Sequence, residues 1–295
     1  MYEVINLVKR DLKLYLRDKL SVFFSLLSSI ILLIIYVLFL GNSVGGELKE
    51  LLTNSELKFM VYSNMLAGIL VLNTITIPLG VLGTVVTDMQ NNQLDAFLVT
   101  PVKRYKVILG YYIASYLITL VLSIVIWLFA VILMGTVTGI YYDGATVLSV
   151  ILLLPIFILI STSFMVLLTT FIPSVNAFGA VSGIFGSVIG FVSGIYIPLT
   201  SSAPKALNYI SSLLPFTHMG TAFKQLLMQG SLELLADLTN NNQDLLAQVK
   251  DSFGMNVIGF LGMDVPLFYL ILGSLVLAGG LFALSTIRLN KKMQR

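Results

Sequence analysis

Charged side chains are missing from long parts of this chain. From Val107 to Pro204 the only Asp, Glu, Lys or Arg is Asp143, and Leu20–Gly46, Phe59–Thr87 and Val265–Ile287 hold none. A charge at the centre of a bilayer costs roughly 2.5–3.5 kcal/mol. Runs that avoid that cost while staying rich in Leu, Ile, Val and Phe are membrane spans rather than core helices. With 11% charged and 57% hydrophobic residues, the sequence has little left from which to build a soluble domain.

At about 20 residues per span, the pattern predicts an all-α integral membrane protein that forms one domain over residues 1–295. Six transmembrane helices are expected near Leu20–Leu40, Tyr62–Val86, Val107–Met134, Val147–Phe171, Ala177–Ile197 and Pro266–Ile287. Pro173-Ser174-Val175-Asn176 splits the fourth from the fifth. The first run is longer than a secretory h-region and lacks a small-residue cleavage site, so it is read as a span.

Twelve of the 17 basic residues lie in segments 1–19, 88–106 and 288–295. The positive-inside rule therefore puts both termini and the 88–106 loop in the cytoplasm. Within 1–19, Ile5, Val8, Leu12 and Tyr15 recur at helical spacing beside Lys9, Lys13 and Arg17, the pattern of a helix lying in the interface with its apolar face in lipid. On the opposite side, 199–264 reads as short amphipathic helices forming a lid, with Leu207, Ile210 and Leu214 on one face and Phe223, Leu226 and Leu227 on another.

The 88–106 loop carries a short helical pattern. Leu94, Phe97 and Leu98 share a face, Asp95 lies on another, and Thr100-Pro101 ends the helix. Such a helix suits a groove on a partner. This stretch resembles the loop of type-2 ATP-binding-cassette (ABC-2 type) exporter permeases, in which Gly-Thr-Leu-Glu precedes Leu-Leu-x-Thr-Pro-x-x-Arg and then Leu-Gly-Lys. Leu94, Asp95, Phe97, Leu98, Thr100, Pro101, Arg104, Leu109 and Gly110 fall in step. A second likeness covers Phe191, Ser193, Gly194 and Pro198, then Pro204, Leu214, Pro215, Thr217 and His218. Here Asn92 stands for the usual Gly, Gln93 for Thr, Gln90 for an acid and Asp95 for Glu. Asn tolerates left-handed backbone better than most non-glycine residues.

The resemblance implies a coupling helix docked on an ATPase subunit, with Asp88, Gln93, Leu94, Asp95, Phe97, Leu98, Thr100, Pro101 and Arg104 as its coupling residues. It implies ATP and Mg²⁺ on that partner and no cofactor on this chain. No G-x-x-x-x-G-K-[ST] phosphate loop occurs here, so this chain is not expected to be an enzyme. A second permease, identical or different, is also implied. So is a pathway bordered by the second and fifth spans, with Asn73, Thr76, Phe185 and Ser187 as candidates. Gly179, Gly183, Gly186, Gly190 and Gly194 give G-x-x-x-G spacings that favour close helix packing.

His218 is the only histidine and Cys is absent, so no metal site is expected; His218 reads as structural. Nothing points to nucleic acid; the expected partners are ATPase subunits, a second permease and lipid. The function implied is export through the cell membrane of an amphipathic or apolar cargo such as a drug, antimicrobial peptide or lipid. Polysaccharide export is the rival within the family. An ion-coupled secondary transporter is the rival outside it, but that class uses intramembrane carboxylates or histidines, and the predicted spans hold none. Motifs of intramembrane enzymes are absent.

Overall fold

Charge-free runs become long helices bounded by polar caps. The computed structural model describes residues 2–20, 22–23, 27, 30, 48–91, 93, 103–256, 263 and 265–292. In chain order the helices are α1 (Tyr2–Arg17), α2 (Leu48–Leu51), α3 (Asn54–Gln90), α4 (Arg104–Thr138), α5 (Gly144–Thr170) and α6 (Val175–Val192). Then come α7 (Lys205–Ser212), α8 (Pro215–Leu227), α9 (Gln229–Leu238), α10 (Gln243–Ser252) and α11 (Leu267–Lys292). Thr53 and Glu56 form a reciprocal capping box at the start of α3. Asp143 caps α5 and Ser174 caps α6 by accepting from Thr146 and Ala177 amides.

Among the described residues, five helices are long and apolar enough to cross a membrane: α3, α4, α5, α6 and α11. The chain is a multi-pass membrane protein. The expected first span, 20–40, falls almost wholly outside the described residues.

α3 is the hub and packs against α4, α5, α6 and α8. Its most apolar window is 78% buried inside the chain, against 11% for α6 and for α11. Hydroxyls tie the bundle together, as expected where lipid removes the hydrophobic drive between helices. Ser161 donates to Thr74 (2.8 Å), Ser63 and Tyr142 hydroxyls meet at 2.7 Å, and the Tyr112 hydroxyl donates to the Leu159 carbonyl at 3.1 Å. Pro78 lies buried inside α3. Without an N–H it leaves the Thr74 carbonyl lacking its intrahelical donor.

Two expectations are corrected here. The fifth span was expected to reach Ile197, but α6 ends at Val192. Gly194 turns left-handed (φ +72°), and the Gly190 carbonyl accepts from both Ile195 and Tyr196 amides at 3.0 and 3.1 Å, closing the helix. The lid is also only partly a lid. α8 dives into the bundle, with Phe216 against Phe164 (5.5 Å) and Phe223 against Phe157 (5.0 Å). Its Gly220 faces Val71, roughly 26 Å along α3 from its start at 1.5 Å per residue. The burial of Phe223 and Leu227 supplies the reason, while Ile210 on α7 stays exposed.

Candidate functional site

At one end of the bundle, α1 grips both ends of the loop between α3 and α4. Arg10 on α1 reaches Asp88 in the last turn of α3 (Nη2 to Oδ2, 2.6 Å). The Tyr111 hydroxyl on α4 donates to the same Asp88 oxygen at 2.5 Å. The second guanidinium nitrogen, Nη1, donates to Tyr111 Oη (3.3 Å) and Asp11 Oδ1 (3.2 Å). Glu3 and Lys106 pair a little further along the α1–α4 seam. One planar cation therefore joins three helices, a task suited to the forked guanidinium.

Apolar contacts seat the clamp. Val4 and Val8 pack with Ala114, and Tyr15 packs with Ile77, Val81 and Ile118. A side chain at Gly110 would place its Cβ 2.8 Å from Leu7 Cβ, so this position admits only glycine while α1 lies this close. The buried face of α1 is Val4, Leu7, Val8, Asp11 and Tyr15, turned onto α3 and α4 rather than lipid, and Ile5 is 49% exposed. That corrects the lipid-facing surface expected from periodicity.

Asp11 is the weak point. It is 2% exposed, and its Oδ2 has no hydrogen-bond partner among the described residues. Burial pushes its carboxyl up to about 7, with Arg10 opposing and Asp88 reinforcing the rise. The stability linked to this raised value is full below the ordinary 3.8 and lost as pH rises through about 7. At about 1.4 kcal/mol for each pH unit, up to about 4 kcal/mol is at stake. The melting temperature of the purified protein in nanodiscs should therefore fall between pH 5.5 and 8. Asp11→Asn should flatten that slope and protect α1 from hydrogen exchange at pH 8. An unchanged slope in the variant would exclude Asp11 as its source.

The structure distributes the expected coupling residues unevenly. Asp88 is buried, 4% exposed, and its carboxylate is turned into the clamp. The Gln93 amide donates to the Asp88 carbonyl (2.9 Å). Gln93 also borders a cavity of about 580 Å³ beside the clamp, together with Tyr15, Asp18, Thr84 and Phe178. Leu94, Asp95, Phe97, Leu98, Thr100 and Pro101 lie outside the described residues, as does the side chain of Arg104, which opens α4.

Of the pathway candidates, Asn73 is fully buried within the bundle. Thr76 bonds back to the Leu72 carbonyl (3.0 Å) and faces Gly186 across the α3–α6 seam. Phe185 packs on Phe164 (5.9 Å), whereas Ser187 is exposed and bonds to its own helix at Gly183 (2.9 Å). The five glycines do not form one packing stripe. Gly179 and Gly183 face open space and Gly186 meets Thr76; Gly190 is covered by the Tyr196 ring and Gly194 lies beyond the helix. Gly186 keeps a helix contact across the α3–α6 seam, whereas Gly190 and Gly194 serve a local chain reversal.

Sequence reasoning missed Arg10, Asp11 and Tyr111. A signal existed: Leu7, Asp11 and Tyr15 stand four apart, so an acid sits on the apolar stripe of α1. Lys224 on α8 was missed too. It is 4% exposed, and its ammonium donates to the carbonyls of Gly194 (3.1 Å) and Phe253 (3.0 Å), just past the C-terminal ends of α6 and α10. Two helix ends thus supply the negative potential that a carboxylate usually provides. His218 is buried, with Nε2 donating to the Ser212 carbonyl at 2.9 Å, a structural role. Among the described residues no cluster of His, Asp or Glu could hold a metal ion.

No curated protein matches the sequence. The sequence profile of the ABC-2 type transporter family matches residues 2–228, from the first turn of α1 through the clamp and α3–α6 to the end of α8. The chain therefore belongs to the ABC-2 type transporter family.

Proposed function

We propose that this chain is the permease subunit of an ATP-driven exporter in the cell membrane. Both termini and the clamp lie on the cytoplasmic side, and the 91–103 loop docks on a separate ATPase chain that binds ATP and Mg²⁺. The observation that carries this reading is the clamp itself: α1 is bonded to the helix entering the loop at Asp88 and to the helix leaving it at Tyr111. A push on the loop is then delivered to α1, α3 and α4 together, not to a slack connection. The exposed apolar faces of α6 and α11 suit lipid and a second permease, and the cargo passes between the two halves. A pathway bordered by Thr76 and Phe185, without fixed charge, favours amphipathic or apolar cargo such as a drug, peptide or lipid.

The test is co-purification with candidate ATPase chains, followed by ATPase and transport assays of Asp95→Ala and Arg104→Ala. Both variants should insert normally and lose most of the permease-dependent stimulation. Full stimulation and transport in both, or transport driven by an ion gradient with no ATPase chain present, would overturn the reading.

A further inference from the structure

The end of the bundle opposite the clamp holds a cavity of about 510 Å³, within the range of small-molecule sites. It opens between the first turn of α3, the α4–α5 connection and the α8–α9 junction. Phe59, Tyr141 and Tyr142 contribute to its wall, and Glu56, Asp143 and Glu233 line it without any Lys, Arg or His. Phe59 and Tyr142 rings lie 4.9 Å apart.

Each carboxylate is fixed by one oxygen. Glu56 Oε2 accepts from the Thr53 amide (2.8 Å) and hydroxyl (2.7 Å). Asp143 Oδ1 accepts from the Thr146 amide (3.3 Å), and Glu233 Oε1 accepts from Gln229 (2.9 Å). The bonds to Thr146 hold Asp143 below the usual carboxylate range. Among the described residues none of the three enters an ion pair, so three negative charges face one aromatic space uncompensated. They do not converge tightly enough to hold a metal ion. A dispersed acidic rim over π-faces matches a bulky cation whose charge is spread and whose body is apolar.

We propose that this cavity binds an amphipathic organic cation, its aromatic body against Phe59, Tyr141 and Tyr142 and its charge toward Glu56, Asp143 and Glu233. The site goes beyond the transport reading and stands on the permease alone, so its test needs no ATPase.

Trp127 is the chain's only tryptophan and lies 5.6 Å behind Tyr142, which makes its emission a reporter. The purified full chain in nanodiscs is titrated with tetraphenylphosphonium, and with tetraphenylborate as the same shape of opposite charge, at low and high salt. The comparison is the triple variant Glu56→Gln, Asp143→Asn, Glu233→Gln. Gln and Asn keep the capping box and the helix cap, and a thermal melt confirms that the variant is folded. The phosphonium should bind more tightly than the borate, weaken with salt and lose about tenfold in the triple variant, at a few-fold per exposed or half-buried charge. Equal phosphonium affinity in wild type and variant, equal uptake by empty nanodiscs, or parallel loss of both probes would each overturn the proposal.

Discussion

Arg10→Met is expected to destabilise the loop end of the bundle by about 3–5 kcal/mol, the cost of stripping a buried carboxylate of its cation. Among the described residues Asp88 would keep only the Tyr111 hydroxyl, and Asp11 would lose its guanidinium. The melting temperature in nanodiscs should drop, and amide exchange should rise across 2–17 and around residue 88. In a complex with the proposed ATPase partner, coupling should fail while insertion persists. Adding Asp88→Asn to Arg10→Met should recover part of the loss, because the two groups act as one unit. Arg10→Lys should recover less than the wild-type fork, since an ammonium cannot span Asp88, Tyr111 and Asp11 in one plane. Wild-type melting and exchange in Arg10→Met would remove the clamp from the account.

The second large effect is expected at the other end. Lys224→Met should cost about 2–4 kcal/mol, because two charge-assisted bonds disappear and the carbonyls of Gly194 and Phe253 lose that donor inside the protein. The change is asymmetric: a methionine fills the space but cannot serve the carbonyls. Hydrogen exchange and protease cleavage should rise in 193–204 and 243–256 while α1 stays protected, the reverse of the Arg10 pattern. If exchange in those segments is unaltered, the ammonium is not what holds α6 and α10 together. The site also answers a constraint of the bilayer, where non-helical backbone must find partners within the protein. Where α6 stops short, Ser211 donates to the Val192 carbonyl (2.5 Å) and Lys224 to Gly194.

How much of this was legible in the sequence follows from which interactions are local. Charge-free runs placed α4 and α5 closely, whereas α3 starts at Asn54, well before the expected Tyr62, and α11 runs past Ile287 to Lys292; Pro173 located the break before α6. Caps at Thr53, Asp143 and Ser174 act over three residues, within reach of local reading, although only the break around Ser174 was read. The clamp does not: Arg10 and Asp88 are 78 positions apart, and nothing local distinguishes Arg10 from Lys9 or Lys13. Only Asp11, out of place on the stripe of α1, hinted at it. Lys224 was equally hidden, since its partners are backbone carbonyls and carry no side-chain signature. The glycine spacing did not reveal that Gly190 serves the turn that Tyr196 covers, a tertiary choice that spacing alone does not encode. Gly110 shows the opposite case: a glycine noted only through family likeness turns out to be where α1 touches α4.

The proline inside α3 has one more result. A helix bends most easily where an internal bond is missing, here between Thr74 and Pro78. α1 packs beside that joint, with Tyr15 against Ile77 and Val81 and Arg10 bonded to Asp88 in the last turn of α3. A movement of the short arm beyond the proline is therefore passed to α1 and, through Tyr111 and Ile118, to α4 as well.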